Sequence, residues 1–238
     1  MKISNFKFSR RGGIPHLRGQ ILGIFTFVLF AVFSFLVSKD IFRALDFNTT
    51  VKIQDRLGDS LIGPFSIFSL LGSAEIASII LLLTLILSKK LKSIFVLFFY
   101  GLVGFFELYG KSVIEQKGPP ILFLKTHLPF QFPSSYIPHE FFAYPSGHSA
   151  RTAFVSAVLL FAIYANIKNR KPRSRFALSA LALAAAGVLI FDLIMFVSRV
   201  YLGEHWTTDV IRGILLGASL ALLASYFIDG RKLPSRVF

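Results

Sequence analysis

Residues 176–197 read FALSALALAAAGVLIFDLIMFV, a run whose single charged side chain is Asp192. A hydrocarbon layer about 30 Å thick is crossed by roughly 20 apolar residues in a helix. Lipid offers no partners to backbone N–H and C=O groups, so a crossing segment must satisfy them within itself. The run is therefore read as a transmembrane helix. Its flanks agree, because Lys168, Arg170, Lys171, Arg173 and Arg175 lead into it and Ser198-Arg199 follows it.

Five further blocks share this character: Ile21 to Val37, Pro64 to Leu87, Ile94 to Tyr109, His148 to Ile167 and Thr208 to Phe227. They make up most of a 238-residue chain that is 54% apolar with 28 Phe, more than the roughly 45–50% of a soluble domain. The expected fold class is all-α: a polytopic membrane protein with a six-transmembrane-helix bundle, one domain over residues 1–238 with basic tails at 1–20 and 228–238. Lys2, Lys7, Arg10, Arg11 and Arg18 precede the first block as in a signal peptide. That block is too long and lacks a small-residue cleavage site, so it is read as an uncleaved anchor. The absence of Cys excludes disulfides and thiolate metal sites.

A net charge of +14 raises the question of nucleic acid, but the distribution of the charge answers it. Lys and Arg collect in the N-terminal tail, after the second block (Lys89, Lys90, Lys92), after the fourth (Lys168 to Arg175) and in the C-terminal tail. The segment Lys39 to Ser60 balances basic against acidic residues. This is the positive-inside pattern, and no nucleic-acid partner is expected. It places both termini in the cytoplasm and the segment 39–60 outside, where Ile41, Phe42, Leu45, Val51 and Ile53 suit either an amphipathic surface helix or a solvated connector. The same topology brings Lys111, His148, Arg199 and His205 to the outer face.

Those residues belong to two compact groups, Pro145-Ser146-Gly147-His148 and Ser198-Arg199 with His205 and Asp209. His205 and Asp209 are four apart at a helix start, which would stack them on one face and let the carboxylate fix the imidazole tautomer for nucleophilic or base chemistry. Ser146 suits an N-cap, and Gly147 permits close backbone approach at a helix N-terminus that favours an anion such as phosphate. His148, in the first turn, would be held protonated there as a general acid. Arg199 offers a planar fork for phosphate oxygens, with Lys111 as a second cation. Glu107, four before Lys111, is expected to pair with it. Arg212 and Asp192 fall on the faces of their helices that carry Asp209 and Arg199, as supporting residues, and Glu75 is expected to pair inside the bundle. Tyr201 and Trp206 are read as interfacial aromatics. His16, His127 and His139 have no partner at a meaningful spacing and are read as loop residues.

The set resembles the type 2 phosphatidic-acid phosphatase family, membrane lipid phosphatases with the motifs Lys-x6-Arg-Pro, Pro-Ser-Gly-His and Ser-Arg-x5-His-x3-Asp. The resemblance covers residues from about 20 to 228. It implies that His205 attacks phosphorus to give a phosphohistidine, that Asp209 orients it, that His148 protonates the leaving oxygen, and that no metal or cofactor takes part. The first motif departs from the pattern: counted from Lys111, the arginine position holds Gly118, followed by Pro119. Lys117 and Arg151 are the candidates to replace it, Arg151 lying three residues after His148 on nearly the same helix face.

The expected activity is removal of an outer-facing phosphate from a lipid that stays in the bilayer of a bacterial plasma membrane. A polyprenyl diphosphate such as undecaprenyl diphosphate is the first expectation, then phosphatidic acid or phosphatidylglycerol phosphate. A lipid phosphotransferase would use the same residues. A lipid-headgroup carrier or scramblase would need the cations but not an oriented imidazole, and a proton-coupled transporter would need carboxylates spread through the bilayer depth.

Overall fold

The computed structural model describes residues 14–88, 91–114, 116–126, 128, 132–135, 143–168 and 175–229. Its α-helices are α1 (Ile14–Val37), α2 (Arg43–Arg56), α3 (Ile62–Ser69), α4 (Ala74–Ser88), α5 (Phe95–Val113), α6 (Gly147–Lys168), α7 (Arg175–Tyr201) and α8 (Thr207–Asp229). Five of them, α1, α5, α6, α7 and α8, are each long and apolar enough to cross a membrane.

The sixth expected span is not one helix. The block 64–87 divides into α3 and α4, bent by 54° at a tight turn over Leu70–Gly72 and an extended Ser73 (ψ 156°). Ser73 restarts the helix as an N-cap, its Oγ accepting the Ile76 N–H at 3.3 Å. A break inside a membrane bundle frees backbone groups that the protein must satisfy. Here the Gly72 carbonyl accepts from Arg151 Nε at 3.2 Å.

Small residues set the tightest contact of the bundle. A Cβ on Gly213 would lie 2.5 Å from the Ser146 carbonyl oxygen, and one on Gly217 would lie 2.1 Å from that of Ala150. Only the missing side chains let α8 reach the backbone of α6, the usual device where lipid supplies no hydrophobic drive between helices. Phe154, Val158, Leu216, Leu220 and Ala221 continue this seam as the core. On the far side of α8, Gly23 of α1 meets Leu223. By contrast, α7 turns Leu183, Leu189, Ile190 and Leu193 outward, as a lipid-facing helix must.

Of the two readings for residues 39–60, a helix forms over most of the segment, and its amphipathicity is inverted. Asp46 and Thr50 of α2 are buried, while Ile41, before the helix, and Leu45 and Phe47 within it are exposed. His16 falls within α1 rather than in a loop; His127 and His139 lie outside the described residues. The ends of α5 and α7 and the starts of α6 and α8 meet at one end of the bundle, opposite the start of α1 and the end of α8.

Candidate active site

The spacing between Arg199 and His205 is the length of one turn. Helix α7 ends at Tyr201, and Gly203 takes φ +70°, a left-handed conformation that glycine adopts without a Cβ penalty. A side chain there would also strike the Phe123 carbonyl at 2.0 Å. The Arg199 carbonyl then accepts both the Glu204 and His205 N–H groups at 3.3 Å. Gln54 of α2 holds the turn from behind, donating from Nε2 to the Phe123 and Tyr201 carbonyls at 2.7 and 2.8 Å. Tyr201, expected at the membrane interface, is instead wholly buried and donates to the Gly58 carbonyl at 2.9 Å.

This turn leaves His205 outside α8, which begins at Thr207. The helical stacking expected of His205 and Asp209 therefore does not apply, and no hydrogen bond joins them. Asp209 instead serves the helix start. Its Oδ2 accepts the Trp206 N–H at 3.1 Å and its Oδ1 accepts from Arg212 Nη2 at 2.7 Å. Trp206 occupies the N-cap position without a capping oxygen, and α2 supplies the missing one: Asp46 accepts the Thr208 N–H at 2.9 Å and its hydroxyl at 2.7 Å. His205 itself is buried, and its Nδ1 has no partner among the described residues. Burial first, and then Arg199, hold its pKa well below the usual imidazole value, against a smaller opposing effect of the Ala143 carbonyl. A neutral ring with an available lone pair results.

Helix α6 opens against α8. Ser146 accepts the Ser149 N–H at 3.4 Å as an N-cap, and its own N–H donates to the Asp209 carbonyl at 3.1 Å. This bond ties the two motif segments together. Gly147 is required by a neighbour: a Cβ there would lie 1.9 Å from Glu107 Oε1. His148 follows, also buried, with the broken span against it, since a Cβ on Gly72 would meet its Cδ2 at 3.1 Å.

The cations are paired, Arg151, Arg199 and Arg212 buried and Lys111 partly exposed. Glu107 grips Lys111 Nζ at 2.9 Å and Arg151 Nη1 at 2.5 Å, so the expected Glu107–Lys111 pair forms and gains a third member. Arg199 pairs with Glu204, which also accepts from Thr126 Oγ1 at 2.7 Å. Arg212 meets Asp209 and Gln116, with the Tyr144 ring 3.8 Å from its Cζ. Arg199 Nε and Arg212 Nη1 have no partner among the described residues, which marks donors available to a ligand. Two expected residues stand apart. The Lys117 side chain is exposed, and only its carbonyl is engaged, by Trp206 Nε1 at 2.8 Å. Asp192 accepts from Ser156 of α6 at 2.6 Å and joins none of the cations. Glu75 does pair, and among the described residues its partner is Ser134 at 2.5 Å rather than a cation.

Sequence reasoning passed over Asp46, Gln116 and Glu204. Glu204 lay inside the motif gap and could have been suspected as a counter-charge to Arg199. Asp46 and Gln116 reach α8 from distant segments and leave no local signal.

Comparison with known proteins supplies the rest. Phosphatidylglycerophosphatase B of Bacillus subtilis (strain 168) is 33% identical over 86 residues, 36% of this chain and 39% of that protein. The alignment thus spans about two fifths of the relative's length. The crystal structure of a transmembrane PAP2-type phosphatidylglycerolphosphate phosphatase from Bacillus subtilis is similar with a TM-score of 0.65 at 22% identity, over 86% of this chain and 94% of that one; it shares the fold. Residues 77–233, which contain every motif position and the site built from them, match the PAP2 superfamily, and the chain belongs to that superfamily.

Proposed function

We propose that this protein is a membrane lipid phosphatase that passes a phosphoryl group from lipid to His205 and then to water. The observation that carries the reading is the Ser146–Asp209 bond, which ties the segment that carries His148 to the start of α8 that follows His205. An imidazole nitrogen of His205 attacks phosphorus, the bond from phosphorus to the lipid oxygen breaks, and that oxygen takes its proton from His148. Water then attacks the phosphohistidine, giving its proton to His148 as the P–N bond breaks. Arg199, Lys111, Arg151 and the amides following Ser146 hold the equatorial oxygens, where the charge develops. Asp209 acts through Arg212 and the first turn of α8, with Trp206 fixed by its backbone.

The substrate we favour is phosphatidylglycerophosphate, after the activity named for the Bacillus subtilis relatives, followed by polyprenyl diphosphate and phosphatidic acid. A lipid tail has a place beside the site. A cavity of about 230 Å³ is lined by Leu71, Ile80, Thr152, Val155, Gly187 and Phe191. Its lining includes Thr152, one turn after His148, and Leu71, next to Gly72. The positive-inside pattern supports a pocket on the outer face of a bacterial plasma membrane, with both termini in the cytoplasm.

Phosphate release from the three lipids in detergent with EDTA, compared between wild type and His205→Ala, tests this. Release that disappears in the variant is expected. Equal release by both proteins would remove His205 from the chemistry, and binding of the lipids without release would favour a carrier.

A further inference from the structure

We infer that Arg151 fills the phosphate-binding place that the family pattern gives to an arginine at position 118. The inference rests on the phosphatase reading and concerns how this chain completes the pocket. Among the described residues, two other cations could be considered for this place, and each is set differently. Lys117 is exposed. Arg212 is fixed to the first turn of α8, donating from Nε to the Thr208 carbonyl at 3.2 Å and bonding Gln116 and Asp209 through Nη2, so that only its Nη1 is left for a ligand.

Arg151 is held beside the Gly147-His148 segment from two sides. Glu107 takes its Nη1 at 2.5 Å, and the Gly72 carbonyl takes its Nε at 3.2 Å. Both neighbours touch the Gly147-His148 segment: Glu107 rests on Gly147, and Gly72 rests on His148. Lys111, the matching first residue of the altered motif, shares the same carboxylate. Glu107 is thereby the positioning residue that sets a lysine and an arginine side by side, the pair the pattern otherwise obtains from one motif. These two bonds use only part of the five-donor fork, which leaves donors of the same guanidinium for phosphate. The helix break at Gly72 is what provides the second anchor.

Position 118 can accept a Cβ. A Cβ on Gly118 would meet the Ala143 methyl at 3.3 Å, and that methyl need give way by only a few tenths of an ångström. Moving the arginine from position 151 to position 118 therefore tests the inference. Purified full-length wild type, Arg151→Lys, Arg151→Ala, Gly118→Arg and the double variant R151A/G118R are assayed for lipid phosphate release and for competitive inhibition by inorganic phosphate. Loss of a fork with retention of charge should raise KM and the phosphate inhibition constant about tenfold in Arg151→Lys, with kcat changed less. Arg151→Ala should lose about a hundredfold or more in kcat/KM, and the added arginine should recover at least about tenfold of it, a rescue that a merely structural Arg151 would not allow.

Wild-type KM and phosphate inhibition in Arg151→Lys would overturn the inference. So would failure of G118R, active by itself, to restore anything to Arg151→Ala. The rise in melting temperature on adding inorganic phosphate reads the same variants without turnover. A wild type that releases no phosphate therefore defeats the phosphatase reading and leaves the Arg151 test standing on its own.

Discussion

Asp46→Ala separates the residues that do chemistry from those that hold them. Asp46 is on α2, a helix with no motif, and its carboxylate caps α8 through the Thr208 N–H and hydroxyl. Removing a cap of this kind costs about 0.5–2 kcal/mol, and each buried donor left without a partner costs about 1–3 kcal/mol. Against this stands the burial of the carboxylate, which raises the Asp46 pKa ahead of the opposing Thr208 hydrogen bonds and Arg212; that cost vanishes with the side chain. A net loss of about 1–3 kcal/mol remains, or roughly 5 °C in melting temperature at a few degrees per kcal/mol. The first turn of α8 also carries Asp209, whose carbonyl holds Ser146. A small displacement there should lower kcat/KM by about ten- to a hundredfold. Asp46→Asn keeps one acceptor for the Thr208 N–H without burying a charge, and should stay within about 1 kcal/mol of wild type. Thr208→Val should couple to Asp46→Ala by at least about 1 kcal/mol in a double-mutant cycle. Melting in detergent and lipid phosphate release are the assays. An Asp46→Ala protein matching wild type in both would show that Asp46 does not hold the start of α8.

Because His205 titrates below the ordinary imidazole value of 6.5, the acid limb of kcat/KM should lie below pH 6.5; a limb above it would mean a solvated ring. The native protein then binds this proton less readily than the unfolded chain, so the His205 contribution makes stability fall as pH drops below about 6.5 and rise as it climbs back, which melting across pH 5–8 (a range of about three units) checks. Gly217→Leu drives a side chain into the Ala150 carbonyl, 2.1 Å from where its Cβ would sit, and should cost about 3 kcal/mol or more, read as loss of folded protein. Gly101→Ala, with nothing within 4 Å of the added methyl, should fold normally. Gly187→Leu also enters open space, but inside the cavity beside the site. It should raise KM for long-chain lipid about tenfold or more while leaving a short-chain water-soluble phosphate unchanged, and equal effects on both would remove the tail from that cavity.

The membrane spans were legible because hydropathy alone decides whether a segment can enter lipid. What hydropathy could not register was the break at Gly72-Ser73, since a broken span is as apolar as a straight one. Its trace in sequence was small: a glycine and a serine in a row, each a weak helix former, with Glu75 close behind. The inversion of α2 was hidden for a related reason. In water its apolar residues would be read as the buried face, whereas beside lipid they face outward and Asp46 turns inward. The His205–Asp209 pair failed differently. The four-residue interval was read as helix, but Gly203 had already announced a turn, and a left-handed glycine places the next two residues outside the helix that follows. Gln54, Asp46 and Gln116 were beyond reach because they act across the fold.

Charge accounts for why the pocket needs so many residues outside the motifs. Lys111, Arg151, Arg199 and Arg212 are taken from water at one end of the bundle, and each buried ion carries an effective penalty of several kcal/mol. Glu107, Glu204 and Asp209 pair with them directly, and Asp46 adds a fourth carboxylate through Thr208. Among the described residues, three carboxylates thus pair with four cations, Glu107 serving two, and the site is held together by pairs rather than by an unbalanced positive field. Such an arrangement binds an anion through directed donors, the unpartnered Arg199 Nε and Arg212 Nη1 among them, more than through net attraction. Directed donors discriminate by geometry, and a phosphorus centre passing through a trigonal arrangement of oxygens presents a geometry that ground-state phosphate lacks. The motif residues supply the donors, while Glu107, Glu204 and Asp46, which no motif names, fix where those donors point.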